Sequence, residues 1–489
     1  MHKKLGLVLG PVFFFITIFF FKPNGLSSEA NAILASTLWI AVWWISEALP
    51  YAITSLLPII LFPLTGGLGL VETSASFGHR YIFLYIGGFI LAIAIERWGL
   101  HKRIALNIIN FIGTNIKNII LGFMISTAFL SMWISNTAAS VMMLPIGMSI
   151  ITQLIDNPNS IENENKVFGK TLMLCIAYSA SIGGIATLIG TPPNLILAGI
   201  VQETYGIEIT FSKWLIFGLP ISLILLFISW KYLTQFTFSL KQKSLPGGRF
   251  EIERQINSIG KISYEEKIVL LVFITTALAW IFRSLFLEKF IPNIDDTIIA
   301  VISAIILFII PASKEKKRKL INWEEAIRLP WGILLLFGGG LAIAKGFTTS
   351  GLSDWIGSQL TLLEGASIFI ILLFLIFIVN FLTEITSNLA TTAMILPVLA
   401  PLALIIEVNP LVLMVGATVA ASCAFMLPVA TPPNAVVFGS GHLTIPNMIK
   451  SGIWMNLLSI LFLTLIVYYL LPLIWELELT AILDLKEIN

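Results

Sequence analysis

The chain has 489 residues, of which 57% are hydrophobic and 11% charged, with 29 Lys and Arg against 27 Asp and Glu. A soluble domain carries about 25% charged residues, so a soluble enzyme, a disordered chain and a nucleic-acid binder are excluded. Long apolar runs, in place of the weak alternation of barrel strands, exclude an outer-membrane barrel and predict an all-α polytopic membrane protein.

In chain order, His2, Lys3 and Lys4 precede an apolar run to Phe21. This reads as a retained first span, so residues 1–29 form an N-terminal span and outer loop. Further full spans are predicted near 30–48, 52–66, 81–97, 171–203, 212–230, 267–286, 297–311, 329–347, 409–441 and 451–474, about 11 in all. Two more apolar pairs, 118–154 and 367–406, each fold about a short polar centre. Residues 231–266, with Pro246-Gly247-Gly248 and mixed charge, read as a cytoplasmic linker, and 475–489 as a tail.

An odd span count puts the termini on opposite sides, and the basic residues choose the sides. With the N-terminus cytoplasmic, inner segments hold 22 Lys and Arg, including Lys102, Arg103 and the run Lys314, Lys316, Lys317, Arg318 and Lys319. Outer segments hold six: Lys22, Arg80, Lys213, Arg283, Lys289 and Lys486. The C-terminus is then outside. Cys175 and Cys423 lie in apolar stretches, and His2, His79, His101 and His442 at span edges, so neither a disulfide nor a metal cluster is expected. The 13 Trp and 34 Phe read mostly as lipid-facing or interfacial filler.

The two halves resemble each other at an offset near 250. LAIA blocks start at Leu91 and Leu341, residues 135–145 (SNTAASVMMLP) match 387–397 (SNLATTAMILP), and TPPN recurs at 191–194 and 431–434. The copies, 30–230 and 267–474, each hold an odd number of crossings and are therefore predicted to be inverted. Inverted repeats mark secondary transporters, with the site near the midplane where the repeats meet. Duplication also builds channels.

Ser135-Asn136-Thr137 and Thr386-Ser387-Asn388 interrupt apolar stretches, so 118–154 and 367–406 read as re-entrant hairpins or as paired spans. A turn of such residues at mid-membrane offers free N–H groups and neutral donors to an anion. At the surface it is an ordinary polar loop. The two Thr-Pro-Pro-Asn segments break 171–203 and 409–441, because proline removes a donor and pushes the preceding residue out of the helix. The freed carbonyls, with Ser, Thr and Asn oxygens, suit Na⁺; the plainer reading is a proline kink. None of the four motifs contains Arg or Lys. The charge of a dianion must then be met by helix ends, neutral donors and bound cations, which predicts cation–anion coupling. Four ionisable groups lie at apolar depth. Glu96 and Lys345 sit near span ends and are expected to snorkel. Glu47 is a third. Glu384 either tunes a cation site or is a buried structural acceptor.

The segment 421–437 (ASCAFMLPVATPPNAVV), the paired Ser-Asn-Thr turns and Glu47-Ala48-Leu49-Pro50 together resemble the divalent-anion/sodium symporter family, over essentially the whole chain. That family carries di- and tricarboxylates or sulfate. The resemblance implies a homodimer in the cell membrane, with a scaffold domain and a transport domain of two hairpins and two broken helices that moves like an elevator. It places the substrate at Ser135, Asn136, Thr137, Thr191 and Pro192 from one repeat and Ser387, Asn388, Thr431 and Pro432 from the other. One Na⁺ is implied at Ser131, Ser135, Asn136 and Gly190, and another at Thr383, Thr386, Asn388 and Ala430. The four-residue step from Ser131 to Ser135 recurs from Thr383 to Ser387. Leu389 departs from the pattern: it stands where the second motif has Thr and removes a hydroxyl from the pocket. The expected function is Na⁺-coupled import of C4-dicarboxylates such as succinate, malate or fumarate. Sulfate symport and dicarboxylate exchange are the rivals within the fold, and an anion channel the rival from another class. No nucleophile–base pair or zinc motif points to an enzyme.

Overall fold

The computed structural model describes residues 2–113, 115–155, 162–238, 240, 248–313, 317–359 and 367–480. Lys314 and Lys316 of the basic run, residues 239 and 241–247 of the linker, and 481–489 of the tail, with Lys486, lie outside the described residues. Among the described residues the regular structure is helical, with one isolated bridge between Pro311 and Lys319. Eight helices among the described residues are long and apolar enough to cross a membrane, and five shorter apolar helices accompany them.

Proline and capping chemistry set where the helices break. The single span expected at 52–66 is two helices, Tyr51–Thr54 and Leu57–Thr65. A continuous helix would need an N–H at Pro58 to bond the Thr54 carbonyl, and Pro58 has none. The pair at 118–154 is Ile116–Ser131 followed by Asn136–Ile155, entered through an Asn115 cap on the Lys117 N–H. Its counterpart is Ile368–Thr383 followed by Asn388–Ile405. The long span at 171–203 is Glu162–Ile185 and Pro192–Tyr205, and that at 409–441 is Pro410–Ala421 and Pro432–Phe438. Both restarts place proline in the first turn, where a helix needs no N–H from it.

The linker differs from expectation. It contains a helix, Gly248–Ile259, that packs against the amphipathic helix Leu100–Ile112 and against Asn136–Ile155. Glu251 anchors it: the carboxylate accepts from Ser149 Oγ, from Gln255 Nε2 at 3.0 Å and from Arg254 at 2.8 Å. Burial pushes this carboxyl up, but its three donors outweigh burial and hold it below the ordinary range. Glu96 is exposed and lines a cavity of about 770 Å³ beside Lys102, Pro145 and Arg254.

Two packing groups emerge. The hairpins and interrupted helices gather with Phe211–Lys231 and Ile445–Trp475, while Arg80–Arg97, Asp296–Ile309 and Tyr264–Phe282 gather around one another; Trp331–Thr349 packs on Pro192–Tyr205 and Asn388–Ile405. Gly87 lets Arg80–Arg97 approach so closely that a Cβ there would lie 2.6 Å from the Ala300 backbone. At the end expected to lie outside, ion pairs tie neighbouring segments: Arg283 to Glu208 at 2.8 Å, and Lys345 to Glu203 at 3.0 Å. Lys345 is thus an ion-paired side chain and does more than snorkel. A minority of the aromatic residues serve the interior: Trp44, Trp214, Trp280, Phe62, Phe123, Phe168, Phe211, Phe217 and Phe337 are fully buried. Trp133, Phe211 and Trp280 stack in sequence, with centroids 5.9 and 5.0 Å apart. Bulky rings fill the space that crossing helices leave between them.

Candidate functional site

The first hairpin turns at 132–135, against the break at 186–191. Ser131 Oγ lies 2.6 Å from the Ala180 carbonyl and 2.7 Å from the Asn136 amide. A hydroxyl has one proton, and the carbonyl can only accept it, so Ser131 donates to Ala180. The Asn136 oxygen then faces acceptors alone: Ser131 Oγ, the Ala180 carbonyl and the Gly190 carbonyl. Turned over, the amide nitrogen donates to Gly190 at 3.1 Å, to Ser131 at 2.7 Å and to Ala180 at 3.3 Å. Either orientation shows oxygens from three chain segments converging on one point. The approach requires glycines: a Cβ at Gly184 would lie 2.4 Å from Asn136 Oδ1, and one at Gly190 would lie 2.6 Å from the Gly184 carbonyl.

The break itself is braced from within. Asn194 Nδ2 reaches the carbonyls of Thr187 at 2.8 Å, Gly184 at 3.2 Å and Ile185 at 3.4 Å. Thr187 Oγ1 donates across to the Met132 carbonyl in the hairpin turn. Asn194 Oδ1 and Thr191 Oγ1 are buried without a hydrogen-bond partner.

The second hairpin repeats the arrangement with different partners. Thr383 Oγ1 donates to the Ala421 carbonyl at 3.0 Å, and Thr386 pairs with Thr391 and with the Leu382 carbonyl. Asn388 turns its oxygen back onto the Leu389 N–H at 2.9 Å. Asn434 Nδ2 bonds the carbonyls of Leu427 at 3.0 Å and Ala424 at 3.2 Å, the counterpart of Asn194. Glu384 has no counterpart, because Met132 holds that place in the first half. Its buried carboxylate accepts from the N–H groups of Phe425 at 2.7 Å, Met426 at 2.9 Å and Leu427 at 3.0 Å, and from Asn456 Nδ2 at 2.7 Å.

The halves are interleaved. Asn136–Ile155 packs on Pro432–Phe438, and Pro192–Tyr205 packs on Asn388–Ile405. Tyr178 crosses between them, donating to the Phe425 carbonyl at 2.9 Å. Burial divides the expected site residues. Ser131, Gly190, Thr383, Thr386 and Ala430 are buried, whereas Thr137 and Pro432 are exposed and Ser135, Asn136, Pro192, Ser387 and Leu389 half-buried. Thr191, Asn388 and Thr431 are buried beside the accessible group. The Glu47 carboxylate accepts from Tyr51 at 2.5 Å and faces Lys3 at 3.3 Å, and Tyr51 also hydrogen-bonds Ser387 of the second hairpin. The bracing residues Asn194, Asn434, Thr187 and Asn456 were not among the expected site residues. For the two in Thr-Pro-Pro-Asn, the recurrence of Asn was the available signal.

Comparison with known proteins gives this geometry its context. Residues 2–476 match the family described as the sodium:sulfate symporter transmembrane region. The chain belongs to this family. Among similar proteins, the sodium-dependent dicarboxylate transporter SdcS of Staphylococcus saprophyticus is 50% identical over 493 residues, covering 99% of this chain and 94% of that protein. SdcS of Staphylococcus aureus is 49% identical over 489 residues with the same coverage. Among solved structures, the YdaH transporter of Alcanivorax borkumensis aligns with a TM-score of 0.60 at 12% identity, over 92% of this chain and 99% of that one. MtrF of Neisseria gonorrhoeae, from a study of antimetabolite efflux pumps, gives 0.59 at 12% identity over 91% and 96%. At such identity the likeness concerns the fold: an all-helical transporter architecture. The family places the chain in the plasma membrane as a multi-pass transporter, not an enzyme.

Proposed function

We propose that this member of the sodium:sulfate symporter family couples inward Na⁺ flow to the import of C4-dicarboxylates such as succinate, malate or fumarate. The observation that carries the reading is the convergence at Asn136. Ser131 Oγ and the Ala180 and Gly190 carbonyls turn toward the Asn136 side-chain amide at the junction of hairpin and broken helix. Na⁺ takes such neutral hydroxyl and carbonyl oxygens as ligands, and the Asn136 carboxamide carries an oxygen of its own to offer a bound cation. Ser131, Ser135, Asn136 and Gly190 would hold one Na⁺, and Thr383, Thr386, Asn388 and Ala430 the other. Bound Na⁺ supplies positive charge that the motifs lack.

The more accessible residues suit the anion. Ser135, Asn136 and Thr137 with Pro192, and Ser387 and Asn388 with Pro432, present hydroxyls, amides and helix starts. Thr191 and Thr431 back them from below, and Leu389 forms an apolar edge. A dianion meets neutral donors here and gains net attraction only when the cations are in place. The identities to two dicarboxylate transporters favour carboxylate over sulfate.

The same reading includes the finer architecture. It takes the halves as inverted repeats, with about 11 spans, two re-entrant hairpins, a cytoplasmic N-terminus and an outer C-terminus. The hairpins and broken helices form a transport domain. The other helices form a scaffold that carries a homodimer interface, and transport is an elevator-type displacement.

Proteoliposomes test it. Uptake of labelled succinate should need an inward Na⁺ gradient and collapse when K⁺ or choline replaces Na⁺. Unlabelled malate and fumarate should compete strongly and sulfate weakly. Equal uptake without Na⁺ overturns the coupling, and uptake that never exceeds equilibrium indicates a channel.

A further inference from the structure

The two cation sites proposed above draw ligands from two separate chain segments each: a hairpin turn and the unwound stretch beside it. A cation bound this way depends on how firmly those segments are held together. In the first half, neutral contacts do this, through Thr187 to the Met132 carbonyl and through the Asn136 amide. The second half uses a buried acid. Glu384 follows Thr383 directly and lies two residues before Thr386. Its carboxylate accepts from three successive N–H groups, Phe425, Met426 and Leu427, within the stretch 422–431 that ends at Ala430 and Thr431. Asn456, on Ile445–Trp475, fixes the same carboxylate from behind at 2.7 Å and also accepts from the Phe425 N–H at 3.2 Å. Gly452, one turn earlier on that helix, admits the Phe425–Met426 backbone at a separation that no Cβ would allow. One side chain therefore ties the hairpin turn, the unwound segment and the last helix.

We infer that Glu384 is the positioning residue of the second Na⁺ site: it sets the spacing between the Thr383 and Thr386 oxygens and the Ala430 segment without itself being a ligand. The inference rests on the sodium-coupled reading. Its consequence is an asymmetry, in which the second site alone depends on a charged brace. Glutamine at 384 keeps the shape but turns an NH₂ toward backbone donors, so at least one of the four contacts becomes donor against donor. Loss of a group that orients ligands commonly costs about 10–100-fold in cation affinity.

The test is the Na⁺ dependence of succinate uptake by the full chain in proteoliposomes, with the KM for succinate measured at saturating Na⁺. For Glu384→Gln the half-saturating Na⁺ concentration should rise on the order of ten-fold, with lower cooperativity. The succinate KM at saturating Na⁺ should move less than about three-fold, since the dianion's own donors are untouched. Glu384→Asp, which keeps the charge, should recover part of the Na⁺ affinity. Should Glu384→Gln not fold, Asn456→Ala decides the matter: it removes one of four donors and should shift the Na⁺ dependence in the same direction by less. A Na⁺ curve unchanged in these variants, or equal shifts in Na⁺ and succinate, overturns the positioning role. Wild-type uptake that ignores Na⁺ overturns the sodium reading itself, so the two failures are distinct.

Discussion

In the first half, the break at 186–191 is braced by the side-chain amide of Asn194 on three carbonyls and by a threonine hydroxyl reaching the hairpin. In the second, Asn434 reaches two carbonyls, and the remaining work falls to Glu384 and Asn456. The amide solution recurs because an unwound segment exposes carbonyls, and Asn supplies donors at the position where the helix restarts. The acid serves the opposite need. The stretch 425–427 turns its N–H groups, not its carbonyls, toward the hairpin, and only an acceptor satisfies them. Related sequences can therefore hold similar breaks while relying on different charges.

Close backbone approach offers the strongest way to break this comparison. A Cβ at Gly183 would lie 2.4 Å from the Ala128 carbonyl, and one at Gly452 would lie 2.3 Å from the Phe425 carbonyl. Both neighbours are backbone, so the helices must move apart. Gly183→Ala and Gly452→Ala should each destabilise by up to about 3 kcal/mol, read as loss of thermal stability in detergent. If Gly452→Ala leaves stability intact, the last helix does not press on the unwound segment.

A smaller effect separates the two asparagines. Asn194→Ala strips donors from three buried carbonyls and Asn434→Ala from two, so each should cost about 1–2 kcal/mol, the first more. Thermal unfolding of both variants checks the order. A larger loss for Asn434→Ala would show that the second break leans on its amide as heavily as the first.

The smallest effect on stability belongs to Leu389→Thr, which restores the hydroxyl that the first half has at Thr137. Leu389 is half-buried and packs at the edge of the apolar core, so stability should change by less than about 1 kcal/mol. Its expected signature is selectivity: competition by sulfate and tricarboxylates should rise relative to succinate. A profile identical to wild type would remove Leu389 from the determinants of specificity.

Much of this was legible in the chain itself. Apolar runs announced a multi-pass helical protein, because the bilayer demands internally bonded backbone, and composition reports that demand directly. Ser135-Asn136-Thr137, Ser387-Asn388 and both Thr-Pro-Pro-Asn motifs stood out for a related reason: helix breakers in an apolar segment are costly and persist where they have a use. The linker helix Gly248–Ile259 was not legible. Its apolar face is short, and the buried Glu251 disguises it as a polar loop until Ser149 and Gln255 are placed against it.

Local chemistry thus determined which segments are helical, where they break and which oxygens and amides are available. These depend on hydropathy, proline and capping, all effects of near neighbours in sequence. Only the tertiary structure decided what the ionisable groups do. By sequence Glu384 is equally a cation tuner or a structural acceptor, and in the fold its carboxylate accepts from N–H groups 41 to 43 residues away in the chain. By sequence Lys345 is a snorkelling side chain, whereas the fold sets Glu203 3.0 Å from it. A charge in an apolar segment takes its meaning from its partner, and partners brought together by folding leave no local trace in the sequence.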